Sequence, residues 1–277
     1  MGQMLIFGMG YAASHLARRL EARGWDVSGT TRDGRGGTLA FGDRDAVLAA
    51  LRPATHILSS VPPSDGRDPV LDHYGDAIAL AGATWTGYLS STGVYGDTGG
   101  AWVDETAPIK GRRADRNAAD AAWQALRGDM CVFRLPGIYG PGRSILDRIG
   151  EGRAHRIALP DQVFSRIHID DIASGVIESF GGPPGVYNLA DDEPCPQNQL
   201  VEWGCAMLGA PVPPLRTLDE AGLSPAARAF YAENRRVANG KAKRLLGWTP
   251  RYPSFRDGLK DCPPLTSSLR AKRSNPE

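Results

Sequence analysis

Short apolar runs alternate along the chain with stretches in which apolar residues recur every three or four positions. The run Met4–Phe7 is too short for a helix and has the length of a buried parallel strand. The next stretch predicts a helix from about Tyr11 to Arg23, with Gly24 as a reasonable end. Residues 25–30 then predict a second strand. The predicted helix buries one face, formed by Ala13, Leu16, Ala17 and Leu20.

The alternation of strand and helix continues to about residue 135. It predicts a Rossmann-type doubly wound α/β fold, a parallel sheet with helices on both faces. The later sequence mixes short strands, prolines and helices, which suits a small C-terminal α+β substrate cap. We therefore predict a dinucleotide-binding core over 1–137, completed by segments around 163–190, and a cap over 138–260. Further strands are predicted at 38–42, 56–61, 87–91, 130–135, 163–169 and 186–189, and further helices at 43–51, 69–82, 117–126, 144–150, 170–180, 197–208, 225–233 and 240–246.

A glycine-rich turn joins the first predicted strand to the first predicted helix. Its sequence, Gly8-Met9-Gly10-Tyr11-Ala12-Ala13, has the pattern G-x-G-x-x-A. Gly8 permits tight backbone angles, and Gly10 leaves room for a pyrophosphate that the helix N–H groups favour. A dinucleotide site is therefore predicted, with an ordinary glycine-rich turn as the alternative. The cofactor contacts expected there are Gly8, Gly10, Tyr11 and Ala12.

The end of the second predicted strand indicates which nicotinamide cofactor is preferred. An NAD site usually carries an acid there to hold the ribose 2′-hydroxyl. This chain has Thr31 followed by Arg32, and the first carboxylate is Asp33. A hydroxyl beside a guanidinium suits a 2′-phosphate, so NADP is predicted over NAD. The alternative is that Arg32 is a solvated loop arginine.

A second contact with the cofactor is expected after the strand at 56–61. The carboxyl end of this strand should lie beside the glycine turn, near the point where the strand order reverses and such sheets bind ligands. Ser60, Val61 and Pro62 are therefore predicted to touch the cofactor. An ordinary turn at the end of a strand is the alternative.

The composition is that of an ordinary globular protein. The chain has 277 residues, 42% of them hydrophobic and 23% charged, with a net charge of +1. Nothing in this balance argues for nucleic acid or an anionic membrane as a partner. Four cysteines form no C-x-x-C pair and accompany no histidine cluster, so neither a metal site nor a disulfide framework is predicted.

The expected location is the cytoplasm, because neither a signal peptide nor an apolar run of membrane length is visible. We expect a monomer or a homodimer that binds a small molecule. The segment 263–277 is rich in proline, serine and basic residues with almost no apolar content. We predict it to be disordered and without function.

Six segments extend this pattern from Gly8 to about Gly258: GMGYAASH, LSSTGVYGD, RLPGIYGPGR, RIHIDDIA, VYNLADDEP and KRLLGWTPRYPS. In this order they resemble the extended short-chain dehydrogenases/reductases of the NAD-dependent epimerase/dehydratase group. The pattern is nearest to atypical members, whose biochemical roles are mostly unassigned. The resemblance implies a nicotinamide cofactor and chemistry at a hydroxyl or carbonyl carbon.

The resemblance also implies roles for individual residues. Ser91 matches the hydroxyl residue that hydrogen-bonds a substrate carbonyl or hydroxyl, and Tyr95, four residues later, is a candidate catalytic residue. Pro136 matches a turn that lines the nicotinamide. Arg143 and His168 match positions near the sugar or phosphate end of the substrate. Two alternatives stay open: Tyr95 as a packed loop aromatic, and His168 as a structural residue before a helix cap.

The chain departs from this family at the proton donor. The family carries a tyrosine four residues before a lysine, which helps to lower the tyrosine pKa. With Asp120 aligned to the family's following acid, these two positions hold Arg112 and Arg116. No tyrosine occurs anywhere between Tyr95 and Tyr139, so the absence does not depend on the register. Arginine cannot act as an acid near neutral pH but can hold a phosphate or an oxyanion, so both arginines are predicted to bind substrate.

Three functions remain open from the sequence. The first is an NADP-dependent oxidoreductase or epimerase acting on a small hydroxyl or carbonyl compound, for which a nucleotide sugar is one candidate. The second is a dinucleotide-binding sensor or regulatory module that has lost catalysis. The third is an arginine-lined site for an anion with a purely structural cofactor.

Overall fold

A computed structural model describes residues 2–263. The strands are β1 (Gln3–Phe7), β2 (Asp26–Thr31), β3 (Leu39–Ala40), β4 (His56–Ser59), β5 (Trp85–Ser91), β6 (Trp102–Val103), β7 (Met130–Leu135), β8 (Gly137–Tyr139), β9 (Arg156–Ile157), β10 (Arg166–His168), β11 (Gly185–Asn188), β12 (Leu215–Arg216) and β13 (Arg236–Val237). The helices are α1 (Tyr11–Glu21), α2 (Arg44–Leu51), α3 (Pro69–Ala79), α4 (Ala114–Leu126), α5 (Ile145–Gly150), α6 (Ile169–Glu178), α7 (Gln197–Leu208), α8 (Pro225–Phe230), α9 (Gly240–Leu246) and α10 (Phe255–Lys260).

Seven of these strands form one sheet in the order β11-β7-β5-β4-β1-β2-β3. Each neighbouring pair is parallel, as the alternation of strand and helix predicts. The chain builds the sheet outward from β1 through β2 to β3, then crosses to the other side of β1 with β4. This reversal opens a crevice at the carboxyl ends of β1 and β4, where sheets of this kind bind ligands. The predicted Rossmann-type fold is confirmed.

Several predicted elements differ in their bounds by a few residues, and for two of them the local reason is visible. The helix expected from residue 117 begins at Ala114, because the preceding residue, Arg113, is the last one in extended conformation. The strand expected over 163–169 is limited to β10, since Phe164 makes only an isolated bridge with Cys195. Both differences lie at element ends, where single residues of extended or helical backbone decide the boundary.

The start of α6 also differs from the prediction. The helix predicted over 170–180 begins at Ile169, and its N-cap is His168, whose Nδ1 accepts a hydrogen bond from the Asp170 N–H at 3.2 Å. Asp170 and Asp171 lie in the first turn of α6, where their negative charges interact favourably with the positive end of the helix dipole. His168 therefore has a structural task that the sequence alone did not assign.

Apolar side chains pack on both faces of the sheet. Alternate residues of β1 face opposite sides, so Met4 packs with α1 and α6 while Leu5 packs with α2 and α3. The C-terminal segment joins the first of these cores through Trp248, which is buried and donates its indole N–H to Ser174 Oγ at 3.0 Å. A third cluster lies among α5, α7 and α10. Residues that follow the sheet strands in the sequence thus complete the hydrophobic core on one face of the sheet.

Several sequence expectations concern features that the described residues lack. Among residues 2–263, no helix has the length and apolar character needed to cross a bilayer. In the same range no three histidine, cysteine or acidic side chains come together as a metal site. The four cysteines are free and buried. The tail predicted to be disordered lies outside the described residues, apart from Pro263.

Candidate functional site

The glycine turn after β1 is held in place by its neighbours on the sheet. Gly8 has a φ of +86°, which favours glycine, and its N–H donates to Thr30 Oγ1 at 3.1 Å. Ser60 Oγ donates to the Gly8 carbonyl at 2.5 Å. A Cβ at position 8 would lie 2.7 Å from Val61 Cγ2. The turn after β1 and the end of β4 therefore fit together only with glycine at this position.

The N-terminus of α1 is open in front of this turn. Gly10 is the N-cap, and a Cβ placed on it would meet no atom within 4 Å. No side chain caps the helix, and its first turn contains no acidic residue. Such an end presents backbone N–H groups and a positive dipole to an anion. The structure therefore has both the space and the donors for a pyrophosphate.

Tyr11 and Ala12, the other two predicted contacts of the turn, lie at the start of α1. The Tyr11 hydroxyl donates to the Pro141 carbonyl at 3.1 Å, and the Arg143 guanidinium lies 5.6 Å from the Tyr11 ring centroid. Ala12 packs against the core that α1 and α6 share. Tyr11 thus connects the turn to the loop that carries Arg143.

A cleft of about 500 Å³ continues from the turn along the ends of β2 and β4. It brings together all five of the residues predicted there: Thr31, Arg32, Ser60, Val61 and Pro62. Its wall also includes Arg35 and Phe41, which sequence reasoning missed. The sequence did hold a sign that Arg35 could reach this cleft, because glycines flank it at positions 34, 36 and 37. All three glycines have positive φ in the structure.

The polar groups at the end of β2 leave the cationic side chains exposed. Thr31 Oγ1 lies 2.7 Å from Thr38 Oγ1 and donates to Asp33 at 3.4 Å. The Arg35 side chain is 81% exposed, and its Nε is 3.9 Å from Asp33. A contact of this length at the surface is weak, so Arg35 can turn toward a phosphate.

Two adjacent cavities lie near Pro136, the residue that follows β7. The smaller, of about 340 Å³, is lined by Thr92, Arg112 and Pro136, among others. The larger, of about 810 Å³, is bordered by Arg143. Both share four lining residues: Gly137, Phe164, Ser165 and Phe230. The two adjoining cavities thus bring together the position predicted to line the nicotinamide, Pro136, and two positions predicted to bind substrate, Arg112 and Arg143.

Arg112, at the position of the family tyrosine, is paired with the segment after α8. Its Nε donates to Glu233 Oε1 at 2.9 Å, and its Nη2 donates to the Ala229 carbonyl at 2.8 Å. Glu233 also accepts from Arg235 at 2.6 Å. Although burial alone raises it, these arginines hold the pKa of Glu233 below its ordinary value. Glu233 is the one carboxylate among the described residues that line the smaller cavity, and with a lowered pKa it is ionised at neutral pH and cannot donate a proton.

Arg116, at the position of the family lysine, lies outside both cavities. Burial and the neighbouring charge of Arg113 lower its pKa, and it interacts with Tyr88 and Asp115. Among residues 2–263, its guanidinium has no carboxylate within 4 Å. Arg112 lines the smaller cavity, whereas Arg116 lines neither cavity, so the structure does not place these two predicted substrate-binding residues in the same site.

Ser91 ends β5 beside the smaller cavity. Its Oγ accepts a hydrogen bond from the Gly93 N–H at 3.1 Å, which caps the short 3₁₀ turn that follows. The next residue, Thr92, lines the smaller cavity, whereas Ser91 does not appear among the described residues of either lining. The Ser91 hydroxyl keeps its own proton available, because in this contact it only accepts.

Tyr95 lies inside the protein, 2% exposed. Its hydroxyl donates to Asn188 Oδ1 at 2.7 Å and accepts from Arg134 Nη1 at 3.1 Å. Arg134 in turn forms a two-pronged ion pair with Asp120, which also accepts from Ser90 Oγ. Burial raises the pKa of Tyr95. This geometry fits the packed loop aromatic, the alternative to a catalytic residue.

His168 is buried as well, 1% exposed. Its ring packs between Tyr139 and Tyr252, with centroid distances of 5.2 and 4.2 Å. Its Nε2 faces Cys262 Sγ at 3.7 Å, and burial lowers its pKa to about 4. A neutral, enclosed ring at a helix cap fits the structural alternative for His168, not a contact with substrate.

Solved structures of other proteins have a similar fold. A functionally unknown conserved protein from Silicibacter pomeroyi DSS is 42% identical, with a TM-score of 0.87 over 98% of this chain and 99% of that one. Human epimerase family protein SDR39U1, solved with NADPH, is 19% identical, with a TM-score of 0.75 over 94% and 98% of the two chains. In its fold, the chain is similar to extended short-chain dehydrogenases/reductases of the epimerase/dehydratase group.

One full-length relative has a name that describes a reaction. The 3-diazoavenalumate denitrifying reductase of a Streptomyces species is 29% identical over 303 residues, covering 93% of this chain and 99% of the relative. No family model matches the chain. The family resemblance therefore rests on the whole fold and on these full-length similarities.

Proposed function

We propose that this protein is an NADP(H)-dependent reductase that passes a hydride to a small anionic acceptor without donating a proton. Bound NADPH would supply the hydride at its nicotinamide ring. Gly8, Gly10 and the start of α1 would hold the pyrophosphate, and the cleft along β2 and β4 would hold the adenosine. The resemblance of Pro136 to the nicotinamide-lining turn points the reactive end at the smaller cavity.

The preference for NADP is supported by Arg32 and Arg35. Both border the adenosine cleft, and no carboxylate stands at the end of β2 where an NAD site carries one. An Arg35→Ala substitution should weaken NADPH binding about three- to tenfold and leave NADH binding unchanged, because only NADPH carries the 2′-phosphate. Fluorescence titration with the two cofactors measures this. Equal losses for both would remove Arg35 from phosphate recognition.

One observation carries the proposed chemistry: the lining of the smaller cavity lacks a proton donor. Among its described residues there is no tyrosine, histidine or lysine, and Glu233 is ionised. Arg112 and Arg113 can attract an anionic substrate but remain charged at pH 7. The site can therefore bind and orient an acceptor, and it suits a reaction in which hydride transfer alone completes the product.

Reduction of an aryl diazonium group is a reaction of this kind. The hydride forms a C–H bond, the C–N bond breaks, and nitrogen leaves as N₂ with the bonding electron pair. NADPH becomes NADP⁺, and no oxygen atom has to be protonated. The name of the Streptomyces relative describes a denitrifying reduction of a diazo compound, which supports this choice over a carbonyl or nucleotide-sugar substrate.

The test uses NADPH carrying deuterium at nicotinamide C4 and 4-carboxybenzenediazonium as the acceptor. We expect benzoate with one deuterium at the carbon that lost nitrogen, formed faster than without protein. A panel of aldehydes, ketones and a UDP-4-keto-hexose, each of which has a carbonyl carbon that could accept the hydride, serves as the comparison and should give no transfer. Faster transfer to a carbonyl compound would contradict the proposal and restore the hydroxyl/carbonyl hypothesis.

The second candidate function is a cofactor-binding sensor without catalysis. The same missing tyrosine and lysine favour it, since the family's usual proton relay cannot operate. It predicts tight NADPH binding with no hydride transfer to any acceptor in the panel, diazonium included. That result in the deuterium experiment would replace the reductase by the sensor.

A further inference from the structure

An exposed aromatic face stands where the two cavities meet. Phe230 ends α8 and borders both cavities, yet it is 51% exposed. One face of its ring stacks on Phe164, with centroids 4.4 Å apart and an interplanar angle of 5°. Tyr231 packs edge-on against both rings. Within residues 2–263 no other ring contacts Phe230, so its exposed area belongs to the face away from Phe164.

Two arginines at the larger cavity have no acidic partner. Neither Arg143 nor Arg148 lies within 4 Å of a carboxylate of the described residues, whereas Arg153, on the same cavity, is paired with Glu151. Arg143 instead lies over the ring of Tyr11. Arg148 is exposed and interacts electrostatically with Tyr231. Among residues 2–263, two arginines without a carboxylate within 4 Å thus lie near the aromatic cluster of Phe164, Phe230 and Tyr231, although Asp147 and Glu151 line the same cavity.

We propose that the substrate is a planar aromatic acid, with its ring stacked on Phe230 and its anionic group held by Arg148. This rests on the proposed reductase function and names the substrate class of the same site. Aromatic rings gain from offset stacking beyond the area they bury, and a guanidinium forms charge-assisted hydrogen bonds with a carboxylate. An uncharged hexose would not use the arginine, whereas the base and diphosphate of a nucleotide sugar could use both features, so UDP is included in the test as the competing ligand.

Calorimetric titrations in saturating NADP⁺ test the two contacts separately. Cinnamate carries a planar ring and a carboxylate, 3-cyclohexylpropanoate has the acid without the planar ring, and cinnamamide has the ring without the charge. Phe230→Leu should weaken cinnamate binding about three- to tenfold and change cyclohexylpropanoate binding less than twofold, because only the stacking is lost. Phe230→Tyr should retain the wild-type affinity.

Arg148→Gln should weaken binding of both acids about tenfold and leave cinnamamide unaffected. Arg153→Gln is the matched control, since Arg153 borders the same cavity but is already paired with Glu151. It should change no affinity more than twofold. Thermal unfolding of each variant with and without NADP⁺ verifies that the fold and the cofactor site are intact.

Unchanged cinnamate affinity in folded Phe230→Leu and Arg148→Gln variants would overturn the inference. UDP binding more than tenfold tighter than cinnamate would also overturn it, because a nucleotide would then be the aromatic anion. Failure of the reductase proposal has a different signature: cinnamate binds as expected, but no deuteride moves from NADPH to the diazonium compound.

Discussion

At the scale of single residues, burial separates structural groups from chemical ones. Tyr95 and His168 sit in motif segments, but each is enclosed and hydrogen-bonded inside the protein. Arg112 and Arg143 are exposed on the cavities. A side chain without access to a cavity cannot touch a substrate, whatever its place in a motif.

Tyr95→Phe tests whether this tyrosine is structural. Removing the hydroxyl leaves Asn188 Oδ1 and Arg134 Nη1 without a partner in a buried site, which should lower the free energy of unfolding by about 1–3 kcal/mol. The rate of hydride transfer should stay within about twofold of wild type. Urea denaturation and the deuterium assay measure the two effects. A loss of transfer in a folded variant would show that Tyr95 takes part in the reaction and is not only structural.

His168 should make the protein less stable in acid. Burial holds its folded-state pKa near 4, against 6.5 when unfolded, so between these values only the unfolded state binds the proton. The contribution is fully present above about pH 6.5 and falls by about 3 kcal/mol as the pH drops to about 4. The titratable and charged groups that act on the ring are Asp170, His15, Asp261 and Arg251.

The measurement compares urea denaturation from pH 7.5 to 4.5 in the wild type and in His168→Asn, which can still cap α6. The variant should be less stable at pH 7.5, because a smaller side chain leaves space between Tyr139 and Tyr252. Its unfolding free energy should depend less on pH. His56, whose pKa burial also lowers to about 4, keeps part of the slope in both proteins. Identical slopes would show that His168 is not responsible.

At the scale of elements, the strand–turn–helix unit β1–α1 is the part of the site that local sequence controls. The tight turn needs glycine at position 8, and the helix needs an uncovered N-terminus at position 10. These two glycines serve different purposes. Gly8 is required by the fold, and Gly10 is required by the proposed binding of a pyrophosphate.

Gly10→Ala and Gly8→Ala should therefore separate binding from folding. At position 10, where φ is −82° and a Cβ meets no atom within 4 Å, the unfolding free energy should change by less than about 1 kcal/mol. NADPH affinity should fall at least about tenfold, because the methyl stands where a pyrophosphate approaches. At position 8, positive φ and the contact with Val61 should cost about 1–3 kcal/mol.

Differential scanning fluorimetry and NADPH titration on both variants check this. The opposite pattern, with Gly10→Ala unstable and binding NADPH normally, would exclude the pyrophosphate from the N-terminus of α1.

At the scale of the whole molecule, the C-terminal part is joined to the sheet. Trp248 packs in the same core as Met4 and Ile6, and α9 contributes Leu246. Asp171 in α6 accepts the backbone N–H groups of Arg251 and Tyr252 at 2.6 and 3.1 Å. We therefore propose that the core over 1–137 and the region over 138–260 unfold together rather than as independent domains.

Trp248→Ala measures this coupling. Loss of a buried indole should lower the free energy of unfolding by about 3–5 kcal/mol while leaving a single transition by circular dichroism. Trp203→Ala is the control, because Trp203 is 39% exposed on α7 and should cost much less. Two separate transitions, with the first alone shifted by Trp248→Ala, would show that the C-terminal region folds on its own.

The sequence alone determined the features that depend on neighbours along the chain. Apolar periodicity predicted the parallel sheet and most helices, and the glycine turn predicted the place of an anion at α1. Short-range patterns suffice there, because helix faces, tight turns and strand runs arise from residues a few positions apart. The missing tyrosine was equally visible, since an absent residue type needs no coordinates.

Only the tertiary structure decided which side chains reach the cavities. The ion pair of Arg112 with Glu233 joins residues 121 positions apart, and the stack of Phe164 on Phe230 likewise unites distant segments. Arg35 lines the cleft along β2 and β4 because its glycine-rich loop folds back to that cleft. Tyr95 and His168, by contrast, are buried inside the protein. Long-range packing sets burial and side-chain direction, and burial decides whether a polar residue supports the fold or meets a ligand.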